Sequence, residues 1–286
     1  MIKSTSFRVL VFTMILSITA GCGSTKDSNP NENLNPDGNI FILSTKFGDM
    51  KIKLYDETPL HKNNFKKLVT DSFYDGTLFH RVISGFMIQG GDPSSKTAKP
   101  GQTLGVGNIG YTIPSEFSPN LIHKKGALAA ARLGNGANPE KRSSGSQFYI
   151  VDGTRVNAKT LESIAKRKDA SNKKAFAPQV LNDSSNIELK NNFFRARQSR
   201  KNDSINYYGR LLQARIDSLY QGNEFKYSSE HIALYDSIGG TPSLDMDYTV
   251  FGEVIEGLNI IDSIAIQKKD RGNRPFDDIK MTIKKL

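Results

Sequence analysis

The stretch that most constrains this chain is Phe79-His80-Arg81-Val82-Ile83-Ser84-Gly85-Phe86-Met87-Ile88-Gln89-Gly90-Gly91-Asp92. Its alternation and β-branched content predict two short strands, residues 79–83 and 86–89, turned through Ser84-Gly85 and stopped by Gly90-Gly91-Asp92-Pro93. A strand sends successive side chains to opposite faces. Phe79, Arg81 and Ile83 are therefore expected on one face, with His80 and Val82 on the other. Across the bend, Phe86 and Ile88 oppose Met87 and Gln89. A guanidinium, two large apolar groups and a carboxamide then converge on one patch, which contains no nucleophile, no metal-ligand set and no phosphate loop. Such a patch suits an apolar ring beside an amide better than bond-breaking chemistry.

The amino terminus has a different character. Lys3 and Arg8 precede an apolar run over residues 9–19 that is too short to span a bilayer as a mature helix. Ala20-Gly21-Cys22 then places small residues before the only cysteine. The expectation is a signal peptide over 1–21 with Cys22 as the lipid-modified first residue. The segment resembles a bacterial lipoprotein cleavage site, which implies a place in a bacterial cell envelope, on the periplasmic side or associated with the outer membrane. The alternative is a plain secretory signal that leaves Cys22 as a free thiol. One cysteine excludes a disulfide framework and a thiol-based metal cluster. Residues 22–38 hold one large apolar side chain, Leu34, and are predicted to be a flexible tether.

From residue 39 the pattern becomes that of a folded domain. Residues 40–45 and 50–55 flank Lys46-Phe47-Gly48-Asp49 and predict a hairpin. Thr58-Pro59 starts a helix whose apolar side is Phe65, Leu68 and Val69. Gly105-Val106-Gly107 lies in a Gly-rich loop over 101–110 that lacks the Lys-Ser/Thr ending of a phosphate loop. Further strands are expected at 126–132, at 145–151 with Gln147 and Tyr149 on one face, at 248–254 and at 278–285. A second helix centres on Leu258, Ile261 and Ile264. Many short strands with two helices imply a mainly β fold, a closed antiparallel barrel with no exposed edge.

These runs resemble the cyclophilin family of peptidyl-prolyl isomerases, in the family's order: residues 64–77, 79–92, 126–132, 146–149 and 250–252. The resemblance implies a closed eight-stranded barrel capped by two helices. It implies rotation about X-Pro peptide bonds in unfolded or extended polypeptides, without a cofactor or a metal. Position by position, Arg81 matches the catalytic arginine. Phe86, Met87 and Tyr149 match the walls of the proline pocket, with Tyr149 replacing the usual Phe. Gln89 and Gln147 match the polar groups that align the peptide, and Ala131 the small pocket residue. Arg132 stands where many members have Asn, whose main-chain groups pair with substrate. Leu244 fits the rim. Ser243 stands where many eukaryotic members carry Trp, and Tyr248 where they carry His, which puts cyclosporin-type inhibition and the usual substrate preference in question. A proline-peptide module without turnover, or a chaperone working through the insertion, is the competing reading.

That insertion, about residues 153–240, has no counterpart in a minimal member of the family. It carries 15 Lys/Arg against 9 Asp/Glu. Tyr208, Leu212, Ile216 and Leu219 form one helical stripe. Ile232, Leu234, Tyr235 and Ile238 suggest another helix, ended by Gly239-Gly240. Loops are expected at 170–174 and 182–186. The stripe is expected to pack back on the barrel. A basic face left in solvent would suit an acidic partner or anionic lipid. An exported chain meets no nucleic acid, whatever its charge.

Overall fold

The computed structural model describes residues 38–286. The expected signal peptide and Cys22, with all but the last residue of the tether, lie outside the described residues. Among the described residues no helix is long and apolar enough to cross a membrane.

The chain opens with a hairpin, β1 (Ile40–Thr45) and β2 (Gly48–Leu54), followed by helix α1 (Pro59–Thr70). Proline sits in the first turn of α1, where its missing N–H costs nothing. Thr58 makes no side-chain cap. A distant carboxylate caps the helix instead: Glu116 accepts from the backbone N–H groups of Leu60 and His61, each at 2.9 Å, and meets His61 Nδ1 at 2.6 Å. Strands β3 (Arg81–Ile83), β4 (Met87–Gly90), β5 (Thr112–Ile113), β6 (Ala127–Ala130), β7 (Ser143–Ser144) and β8 (Phe148–Val151) follow. After the insertion come β9 (Val250–Glu256), helix α6 (Leu258–Ala265) and β10 (Met281–Lys285).

Eight of these strands form one antiparallel sheet in the order β10-β1-β2-β9-β6-β8-β4-β3, and β5 pairs with β7 separately. The inner face buries Phe41, Leu43, Ile52, Leu128, Phe148 and Ile150 against α1 and α6. Phe65 of α1 lies at the centre of this core, within 5.2–5.9 Å of the rings of Phe41, Tyr74, Phe148 and Phe251.

The closed barrel expected from the sequence is corrected here. The curled sheet is open, with β10 and β3 at its ends. Its ends are joined by a seam rather than a ladder: Leu78 bridges Lys280, Phe79 N–H donates to Ile279 O, and Met281 N–H to Thr77 O. Residues 77–80 leave strand geometry before β3 begins, so no eight-fold ladder closes. The same break overturns the expected side for Phe79. It lies in the inner core with Val82 and Ile88, across the sheet from Arg81.

The insertion comprises α2 (Ala158–Asn182), α3 (Ile187–Gln198), α4 (Asn202–Tyr220) and α5 (Ser229–Ser237). Residues 170–174 are helical rather than a loop. Polar exposed residues there do not break α2, and Lys173 pairs with Asp217 of α4. The buried stripe of α4 is Leu212, Ile216 and Tyr220, while Leu219 points outward. That stripe packs on α2 and α3 rather than on the sheet. One contact of the insertion with the rest of the domain is through Leu161 and Tyr235, which pack with Ile122 in the segment before β6. Its two ends cross at a neck where Thr154 and Gly240 exchange backbone hydrogen bonds. Gly240 has φ +157°, and a Cβ there would stand 2.3 Å from His123 O, so the neck requires glycine.

Candidate active site

Strand register builds the site. Arg81 pairs with Gln89, Gln89 with Tyr149, Tyr149 with Ala129, and Ala129 with Val250. Directly opposed residues share a face, so this row crosses five strands on the outer face of the sheet. Met87, opposite Ile83 and Val151, stands in the next row. The β3–β4 bend fixes Phe86 beside them. Gly85 has φ +74° and Phe86 N–H donates to Ile83 O at 3.0 Å, a turn that favours glycine at its third position. The Gly85 N–H also donates to Asp152 at 2.7 Å, which ties the bend to the end of β8.

The result is a cleft of about 390 Å³ lined by Arg81, Phe86, Met87, Gln89, Ala131, Arg132, Tyr149, Leu244 and Tyr248. Those nine positions are the pocket residues expected from the sequence, apart from Gln147. Gln147 sits in the partition to a larger neighbouring cleft. Its amide donates to Gly105 O at 3.1 Å and Gly107 O at 2.8 Å, and its oxygen accepts from Gln89 at 3.2 Å. Gln147 thus spends its polar atoms on the Gly-rich loop and on Gln89. Asp92 pins the same loop from behind, accepting from Gly105 N–H at 2.5 Å and Gly107 N–H at 3.3 Å.

Arg81 is half-buried and faces the cleft. One terminal nitrogen donates to Gln89 Oε1 at 3.2 Å, and the guanidinium carbon lies 5.8 Å from the Phe86 ring. Among the described residues no carboxylate pairs with it. Burial lowers its pKa from an ordinary value far above neutrality, so the charge persists. A fixed, unneutralised cation beside an apolar cup attracts an electron pair held by a neutral ligand.

The rim uses the second arginine differently. Arg132 stacks on Tyr248 at 4.4 Å from guanidinium carbon to ring centroid, and its Nε donates to Asp247 O at 2.7 Å. Tyr248 meets Tyr149 edge-on at 5.9 Å. Leu244 projects from a 3₁₀ turn over Pro242–Leu244.

Sequence reasoning missed what lies behind the cup. The Tyr149 hydroxyl meets His123 Nε2 at 2.9 Å, and His123 Nδ1 meets Asp245 at 2.8 Å, all three residues being buried. One signal pointed there: a hydroxyl placed on a wall that is otherwise apolar needs a partner.

A sequence model of the family described as cyclophilin type peptidyl-prolyl cis-trans isomerase/CLD matches residues 40–285. The chain is 28% identical over 239 residues to a Staphylococcus aureus (strain USA300) protein named for peptidyl-prolyl cis-trans isomerase activity, covering 83% of this chain and 86% of that one. It is 28% identical over 248 residues to a Streptococcus pyogenes protein named as a bifunctional phosphatase/peptidyl-prolyl cis-trans isomerase, covering 86% of this chain and 38% of that one. A crystal structure of a Cryptosporidium parvum cyclophilin type isomerase superimposes with a TM-score of 0.48 at 21% identity, over 87% of this chain and 97% of that one. With the family's sequence running from β1 to β10, this chain belongs to the cyclophilin-type peptidyl-prolyl cis-trans isomerases, enzymes that rotate X-Pro peptide bonds.

Proposed function

We propose that Arg81 is the catalytic residue of this isomerase, and that the protein assists folding of exported polypeptides from a lipid anchor at Cys22. The observation that carries the catalytic part is the guanidinium facing the cleft with no carboxylate among the described residues to neutralise it.

The chemistry follows from the bond. Amide resonance sets a rotation barrier of about 18–20 kcal/mol, and uncatalysed X-Pro isomerisation takes tens to hundreds of seconds. At the twisted transition state the imide nitrogen regains its lone pair and becomes a hydrogen-bond acceptor. A guanidinium donor at that nitrogen binds the twisted state better than either planar state, which lowers the barrier. Phe86, Met87, Ala131, Tyr149 and Leu244 hold the proline ring. Gln89, oriented by Gln147, takes a flanking carbonyl. Among the described residues the main-chain N–H and C=O of Arg132 have no hydrogen-bond partner, which leaves them open to an extended substrate. No covalent bond forms or breaks.

The residue pattern at the amino terminus supports the envelope location. A protease-coupled isomerisation assay on a proline tetrapeptide tests the catalytic part: Arg81→Ala equal to wild type would refute it. Membrane fractionation and palmitate labelling of wild type and Cys22→Ser test the anchor. Wild type is expected in the membrane fraction and labelled, and the variant soluble and unlabelled. An unlabelled wild type would end the lipoprotein reading.

A further inference from the structure

Three residues of the insertion reach the back of the pocket. Lys168 of α2 donates to the carbonyls of Ser243 at 2.9 Å and Asp245 at 2.6 Å, and to the Asp247 carboxylate at 3.2 Å. Its three N–H donors are thereby occupied, and its partners bracket Leu244 on both sides. Tyr235 of α5 donates to Asp245 Oδ2 at 2.7 Å, and Tyr227 lies 2.9 Å from the same oxygen. The other oxygen of Asp245 accepts from the backbone N–H and Nδ1 of His123, both at 2.8 Å.

These contacts link His123 to the insertion on one side and to the cup on the other. The Asp245 carboxylate only accepts, so His123 Nδ1 donates to it, and the other ring nitrogen, Nε2, shares a hydrogen bond with the Tyr149 hydroxyl. That bond anchors the Tyr149 hydroxyl, and the ring is held edge-on to Tyr248 across the floor of the cup. A continuous set of buried hydrogen bonds therefore runs from the insertion helices to the wall that grips substrate. Lys168 clamps the rim segment independently.

We propose that the insertion is a structural half of the proline pocket, with Lys168, Tyr235, Asp245 and His123 as positioning residues that set its affinity for proline peptides. This rests on the assignment of the cleft as the X-Pro site. It differs from a docking arm, which would act away from the pocket, and from inert padding, which would leave the pocket's affinity unchanged when altered.

The test compares Lys168→Met, Lys168→Arg and Tyr235→Phe with wild type in the full mature chain, with Lys190→Met of α3 as the distant control. The dissociation constant of an Ala-Ala-Pro-Phe peptide is read by NMR titration, and KM and kcat are separated by exchange spectroscopy. Lys168→Met removes all three of these hydrogen bonds and is expected to raise the dissociation constant and KM about three- to tenfold at unchanged kcat, as the loop that carries Leu244 loosens. Lys168→Arg should restore both to within about twofold, and Tyr235→Phe should shift them in the same direction as Lys168→Met. A melting temperature lowered with dissociation constant and KM unchanged would overturn the proposal, since that is what stability support alone produces. Should Lys168→Met fail to fold, Tyr149→Phe keeps the ring and removes the hydroxyl; an unchanged dissociation constant there also overturns it. A wild type that binds peptide without turning it over would sink the isomerase role of Arg81 and leave the affinity comparison intact.

Discussion

Replacing Arg81 by alanine isolates the transition-state contribution. In the folded protein the guanidinium makes one hydrogen bond, to Gln89 at 3.2 Å, and one looser contact with Met87 sulfur at 3.9 Å. Among the described residues it forms no ion pair, so its loss removes little ground-state structure, and the melting temperature should stay within a few degrees. What disappears, on the proposed mechanism, is the cationic donor that would meet the imide lone pair. Removing one preorganised donor of that kind costs about 2.7–4 kcal/mol, or roughly 10²–10³ in rate. Arg81→Ala should therefore lose about 10²–10³ in kcat/KM, the loss falling on kcat, while the dissociation constant of a proline tetrapeptide changes less than about threefold. Arg81→Lys keeps the charge but loses the fork that holds Gln89, and should fall between the two. Exchange NMR at saturating peptide measures kcat directly. An Arg81→Ala variant with wild-type kcat and a raised KM would show that the arginine binds both planar and twisted states equally, and the argument from differential binding would fail.

Three further outcomes follow from the structure. Burial lowers the pKa of His80 from 6.5 to about 4. An unfolded chain therefore takes up a proton below pH 6.5 that the folded one refuses until about pH 4, and stability falls as the pH drops through that window. Urea unfolding at pH 7 and pH 5 should differ by about 2 kcal/mol more in wild type than in His80→Gln, and an equal difference in the two would show that the folded imidazole is protonated. Ile216→Ala removes the middle of the α4 stripe at a cost of about 2–4 kcal/mol. Amide exchange in α3 and α4 should then rise about 30-fold or more with β4 and β8 unchanged, whereas uniform acceleration would mean that insertion and sheet unfold together. A Cβ on Gly107 would stand 2.0 Å from Asp92 Oδ1. Gly107→Ala should release the loop from Gln147 and lower kcat/KM about three- to tenfold with little thermal change, and full activity would show that Gln89 needs no help from the loop.

Much of the pocket was legible because it lies on regular strand pairs. The alternation at Met87, Gln89 and Tyr149 survives folding since β4 and β8 keep their ladder, and Gln147, one residue before β8, is held by the Ala131 N–H on its carbonyl. Phe79 misled because the sheet ladder stops one residue after His80, and alternation says nothing where backbone pairing lapses. The helix through 170–174 was hidden by Ser171 and Asn172, weak helix formers carried by a long α2 that α4 supports. The α4 stripe was visible, yet its partner was not, for periodicity gives a buried face without naming what covers it. His123, Asp245 and Lys168 stand far apart in the chain and meet only when the insertion folds back, so no local pattern could join them. Cys22 and the amino-terminal segment are read from residue order alone.

The seat of β1 has a mechanical consequence. It is paired with β10 through five residue pairs and with β2 through six, and Leu286 N–H donates to Ile40 O. Any tension arriving from residue 38 therefore loads two ladders lengthwise and at once, instead of unzipping an outer ribbon pair by pair. A pull at that end would have to shear both ladders before it reached β4 and β8, which carry Met87, Gln89 and Tyr149.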